Sequence, residues 1–138
     1  MSRDPREEAV SNPSPLPAAE IDRIRDLLSQ VAYLLDAHDY DAMGTVFAQD
    51  VRFENPGRLV AHGLDELIAS FKKITDPAVS HHVTNVLVTP VDERSAECVC
   101  KALTLRGNGV LAAAEYRDTV RLEAGGWRIG SRTIRPLG

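Results

Sequence analysis

Two periodicities divide this chain. Between about residues 18 and 73 apolar positions recur at helical spacing except in one short hairpin, and from Val79 onward they alternate with period two. Ile21, Ile24, Leu28, Val31 and Leu35 form one stripe, which predicts a helix from about Ala18 to Asp36. Asp39 reads as the N-cap of a short second helix from Tyr40 to about Phe47, with Asp41 favourable in its first turn. Val51 to Glu54 alternates and stops at Asn55-Pro56-Gly57, a short strand closed by a turn, and Leu59 to Ala61 pairs back onto it. After Gly63, apolar residues at helical spacing from Leu64 to Phe71 give a third helix, with Lys72 and Lys73 at the end where its dipole favours cations. Residues 82–88, 96–106, 111–122 and 127–134 then read as strands. The turns between them are short enough to demand antiparallel neighbours. Helices followed by a meander of long strands define an α+β domain whose curved sheet wraps around the helices.

Composition narrows this to one domain: 138 residues, 43% hydrophobic and 26% charged, suit a single core. Residues 1–17 carry Pro5, Pro13, Pro15 and Pro17 among charged and small residues, too little apolar surface to offset ordering. They are expected to be a flexible tail, and residues 18–138 the folded domain. A net charge of −4 with scattered arginines lacks the basic footprint of a nucleic-acid binder. The N-terminus has no apolar signal core and no run approaches the roughly 18 apolar residues of a membrane span. Cys98 and Cys100 lie two apart in one strand, poorly placed to pair with each other, and read as buried thiols in a reducing compartment. A cytoplasmic protein with no membrane partner is expected.

Candidate chemistry centres on Asp36. It falls in the last turn of the first helix, at the rim of the apolar stripe beside Ala32 and Ser29. The partial negative charge of a helix C-terminus disfavours a carboxylate there unless a cation or donor approaches. Histidine is such a partner. His82 opens a strand whose even positions, His82, Thr84, Val86 and Val88, share one face, and an imidazole lining a pocket can accept a proton near neutral pH. His81 is expected on the opposite side, unless a bulge in the strand exchanges the two. Tyr33, Asn55, Tyr116 and Asp118 are candidates for holding substrate oxygens; Tyr116 and Asp118 share strand parity. Trp127 after Gly125-Gly126 reads as a packing anchor. The spacing supplies no third ligand beside His81-His82, so no metal site is expected, and no nucleotide motif is present.

Five segments together resemble the nuclear transport factor 2-like superfamily and its SnoaL-like group, which includes scytalone dehydratase and polyketide cyclases. They are residues 36–41 (Asp-Ala-His-Asp-Tyr-Asp), residues 47–53, the Gly63 helix, His81-His82-Val83-Thr84-Asn85 and residues 125–129. The resemblance implies a cone: a curved antiparallel sheet wrapped around three N-terminal helices, with a deep pocket between the first helix and the concave face. It also implies that an Asp at the end of the first helix pairs with a His opening the long sheet, positions occupied by Asp36 and His82. A second histidine of scytalone dehydratase has no counterpart in residues 103–106. The layout is also similar to ketosteroid isomerase. This chain departs from that family by carrying Asn55 at its base position and Val31 in place of its first-helix tyrosine, which counts against steroid double-bond isomerisation by that route, while Asp118 matches its second acid. The expectation is a cofactor-free acid-base enzyme, a dehydratase, cyclase or isomerase. It would work through an enolate on a small apolar oxygenated molecule, polyketide- or steroid-like, and form a homodimer through the outer sheet face. The alternative is a non-catalytic pocket protein or a small structural subunit of a ring-hydroxylating oxygenase.

Overall fold

A computed structural model describes residues 14–138. Helix α1 spans Ala18–Asp36 and buries Ile24, Leu27, Leu28, Val31 and Ala32, one face of the helical period. It ends because His38 takes a left-handed conformation, φ 54°, and the Asp39 N–H turns back to the Leu34 carbonyl at 2.9 Å. A 3₁₀ turn, Tyr40–Thr45, follows in place of the second helix expected from the pattern. Asp39 makes no side-chain cap there, and Phe47 belongs to the next strand.

Strands β1 (Phe47–Asn55) and β2 (Leu59–His62) form the first hairpin, with Phe53 opposite Ala61. Gly63 then opens helix α2, Leu64–Lys72, at φ 93°, a left-handed conformation suited to a residue without Cβ, while its N–H bonds to the Val51 carbonyl at 2.6 Å. Strands β3 (Ser80–Asp92), β4 (Ser95–Leu105), β5 (Leu111–Glu123) and β6 (Gly126–Leu137) form the antiparallel meander. The six-stranded order is β2-β1-β6-β5-β4-β3. The sheet is not wholly antiparallel: β1 runs parallel to β6, because the chain enters β1 from the helical side and returns to it only after the meander.

Two bulges bend the sheet. Between Thr84 and Leu87, β3 carries one residue more than β4, and Asn85 sits there at φ 55°. The Val86 carbonyl is taken instead by Arg25 of α1 at 3.0 Å. In β6, Gly130 is the extra residue between Ile129, opposite Val120, and Ser131, opposite Thr119. Each bulge shifts side-chain parity by one beyond it.

The core joins α1 to the inward positions of the sheet, with Phe47, Met43, Val51, Leu67, Val120 and Ile129 sealed inside. Trp127 is the anchor its position suggests, buried, with its indole N–H donated to Glu20 of α1 at 2.6 Å. The tail expected over residues 1–17 lies, up to residue 13, outside the described residues. Leu16, within the same span, packs into the core at 3% exposure. No helix among the described residues is long and apolar enough to cross a membrane.

Candidate functional site

At the wide end of the sheet a cavity of about 230 Å³ opens between the end of α1 and the concave face. It exists because inward positions there are small. Ala102 faces Ala114 and Thr104 faces Ala112 across β4 and β5, whereas Val120, Ile129 and Trp127 fill the narrow end. Leu35, Phe53, Phe71 and Ile134 give the cavity apolar walls; Tyr40, Asn55, His81, Thr104 and Tyr116 bring polar groups to it.

Asp36 meets His81, not His82. The His81 ring is bonded through Nδ1 to Asp36 Oδ1 at 2.7 Å, and its backbone N–H reaches both carboxylate oxygens at 3.1 and 3.2 Å. Asp36 is thus seated as the helix C-terminus requires, against donors. With Nδ1–H directed at the carboxylate, Nε2 carries the lone pair, and it has no hydrogen-bond partner among the described residues. His82 is exposed on the outer face, its Nε2 paired with Ser80 Oγ at 2.7 Å. The expected Asp36–His82 pair is therefore corrected. The cause is the Asn85 bulge, which separates the parity of His81 and Val83 from that of Val86 and Val88 although all four face inward.

The other candidates divide. Asn55 and Tyr116 line the cavity. Tyr33 does not: it stands 78% exposed on the far side of α1, one position from the buried Ala32. Asp118 points inward as its parity with Tyr116 implies, but it is 3% exposed and fully engaged by Arg132 of β6, through Nε and Nη2 at 2.8 Å each. It is not free to hold a substrate.

Arg132 is the residue that pattern reading misses. Counting alternation from Trp127 and Ile129 places it outside; the extra residue at Gly130 turns it in. A glycine inside a strand is the one local signal of such a bulge. The guanidinium lies 4.6 Å over the Tyr116 ring and reaches the cavity wall. Burial alone would lower its proton affinity, but the charge and hydrogen bonds of Asp118 outweigh this and raise it, so Arg132 is a fixed cation. Burial also raises the Tyr116 phenol, opposed by Arg132, and raises Tyr40, so both remain neutral donors. Cys98 and Cys100 are buried beside their cross-strand partners Asp118 and Tyr116 and pushed up to about 12 and about 11, mainly by desolvation. Among the described residues no cluster of three or more His, Cys, Asp or Glu forms a metal site.

A half-open cone with an oriented imidazole at its mouth defines the class, the nuclear transport factor 2-like fold. Residues 17–133 match the family model described as the SnoaL-like domain, and the chain belongs to that family. No curated protein matches it. Among solved structures it is similar to a provisional scytalone dehydratase of Novosphingobium aromaticivorans, with 21% identity over 87% of this chain and 85% of that one, TM-score 0.71. A Nostoc punctiforme protein of unknown function with a cystatin-like fold shares 21% identity over 88% and 94%, TM-score 0.78. A type 2 hexachlorocyclohexane dehydrochlorinase shares 17% over 87% and 90%, TM-score 0.71. At these identities the likeness establishes the fold alone.

Proposed function

We propose that this chain is a cofactor-independent acid-base enzyme acting on a small, largely apolar, oxygenated molecule of polyketide- or steroid-like character. Its reaction is an elimination, or a cyclisation or isomerisation sharing the same first step. The observation that carries this reading is the Asp36–His81 pair beside an open apolar cavity. His81 Nε2 takes a proton from carbon next to a carbonyl, and the C–H electrons pass into an enolate. Asp36 holds the tautomer and faces the charge the ring acquires. Tyr116 and Asn55 donate to the enolate oxygen. In the elimination, the enolate collapses to a C=C bond as the neighbouring C–O bond breaks. The proton on the imidazolium leaves with that oxygen as water. Two structural neighbours are named for losses of this kind, of water and of HCl. An oxygenase subunit would need no open cavity, and a non-catalytic pocket protein would need no imidazole oriented by a carboxylate.

The test needs no natural substrate. 2-Tetralone exchanges protons next to its carbonyl, and the loss of those signals in D₂O is followed by NMR. The chain should accelerate exchange over buffer, and His81→Ala should remove that acceleration. If 2-tetralone shifts cavity resonances yet exchanges no faster than with His81→Ala, the acid-base reading fails.

A further inference from the structure

The cavity mouth carries charge that proton transfer at His81 does not use. Arg58, in the turn between β1 and β2, and Arg106, just beyond β4, both line it. They face one carboxylate, Asp76: Arg58 Nη2 stands 3.8 Å from Oδ1 and Arg106 Nη1 3.7 Å from Oδ2. Both spans exceed a hydrogen bond. Arg106 bonds instead to the Asp76 carbonyl at 3.0 Å, and the Arg58 guanidinium donates no hydrogen bond among the described residues. Lys73 lines the adjoining groove with Arg58 and Asp76. Two arginines therefore share one carboxylate, with Lys73 in the groove beside them, in a chain whose net charge is −4. The Asp76 side chain is 78% exposed, so its hold on the arginines is loose, as such ion pairs are in water.

We propose that the substrate carries a carboxylate, received between Arg58 and Arg106 at the mouth while its apolar oxygenated body lies along Ala112, Ala114 and Ile134 toward Tyr116 and His81. Asp76 occupies this position in the free protein, one oxygen toward each guanidinium, and swings into solvent when the substrate acid displaces it. Arginine's planar fork suits this task because it binds a carboxylate through two parallel hydrogen bonds. The proposal takes the reacting end of the molecule from the acid-base reading; recognition of the acid stands on the mouth alone.

Binding of 2-naphthoate, 2-naphthamide and 2-naphthyl phosphate, measured by calorimetry at low salt, tests it apart from catalysis. The acid should bind at least about tenfold tighter than the amide, the scale of one charged hydrogen-bonded contact. The preference should vanish in Arg58→Gln/Arg106→Gln and survive in His81→Ala. Asp76→Asn, a change at an exposed side chain, should tighten the acid about two- to fivefold by removing the resident competitor. Equal binding of acid and amide, a preference that persists without both arginines, or no gain in Asp76→Asn overturns the proposal. Tighter binding of the phosphate than of the acid overturns the carboxylate assignment. The exchange of 2-tetralone, which has no acid group, is untouched by any of these results, so failure at the mouth and failure of the acid-base pair are read separately.

Discussion

The Asp36 carboxylate, on the last residue of α1, is held by both the ring and the backbone N–H of one residue, His81, 45 positions away. Helix end and strand start are thereby locked together, and the imidazole has little freedom to rotate. In the proposed acid-base reaction, an orientation fixed in this way would have Asp36 act through His81 rather than on substrate.

Residues sharing one chemical task are not additive. In the exchange assay Asp36→Asn should lower the rate about 10²- to 10⁴-fold, the typical value of acid-base assistance. His81→Ala should lower it as far, and the double variant scarcely further. Asn keeps the shape of Asp without its charge, so the ¹⁵N shifts of His81 should also show a changed tautomer balance in that variant. His82→Ala, on the outer face, should leave the rate unchanged; a loss there would restore the even-position face as the catalytic one.

The Asp118–Arg132 pair should show the asymmetry of buried charges. Asp118→Asn leaves a sealed guanidinium without its counterion and should cost about 3–5 kcal/mol in urea unfolding. Asp118→Leu/Arg132→Met, which removes both charges, should recover much of that. A single-variant cost below about 1 kcal/mol would mean that water reaches the pair.

The thiols impose a pH dependence. Cys98 and Cys100 are raised from an ordinary 9.0 to about 12 and about 11 by burial. Above pH 9 the unfolded chain therefore releases these protons first and binds fewer than the folded one. Stability is full below pH 9 and falls as pH rises toward 11, by at most about 1.4 kcal/mol per unit for each thiol. Unfolding curves at about pH 8 and about pH 10 should show the drop, and Cys98→Ala/Cys100→Ala should flatten it. Tyr116, raised in the same sense, adds to the fall only above pH 10.

The outer face of the sheet presents Leu87 beside its cross-strand partner Val99, with Leu103 further along β4. A homodimer through this face is expected, because apolar side chains there gain by leaving water. Sedimentation at micromolar concentration should give the dimer, and Leu87→Asp/Leu103→Asp should give the monomer. A monomeric wild-type chain would rule the interface out.

Much of the architecture is set by local pattern. The α1 limits, the start of α2 at Leu64 and the order of the meander follow from apolar spacing and turn residues, which act within a few positions. Asp36 follows in the same way, since a helix end is defined by its own turn. Parity within the long strands does not. Asn85 and Gly130 are turn formers inside strands, a hint of bulges. Yet whether the chain bulges there depends on how far the whole sheet must curve around α1. That curvature turns His81 and Arg132 inward and His82 outward. Other features have the same non-local origin. β1 lies beside β6 only because the meander brings the last strand back to the first. Leu16 is drawn into the core by α1's packing, although its neighbours in sequence read as tail. The cavity itself is a difference between small residues at one end of facing strands and large ones at the other. Alternation along each strand gives the inward positions, but only the register between strands brings Ala102 against Ala114 and Thr104 against Ala112 and leaves the space between them open.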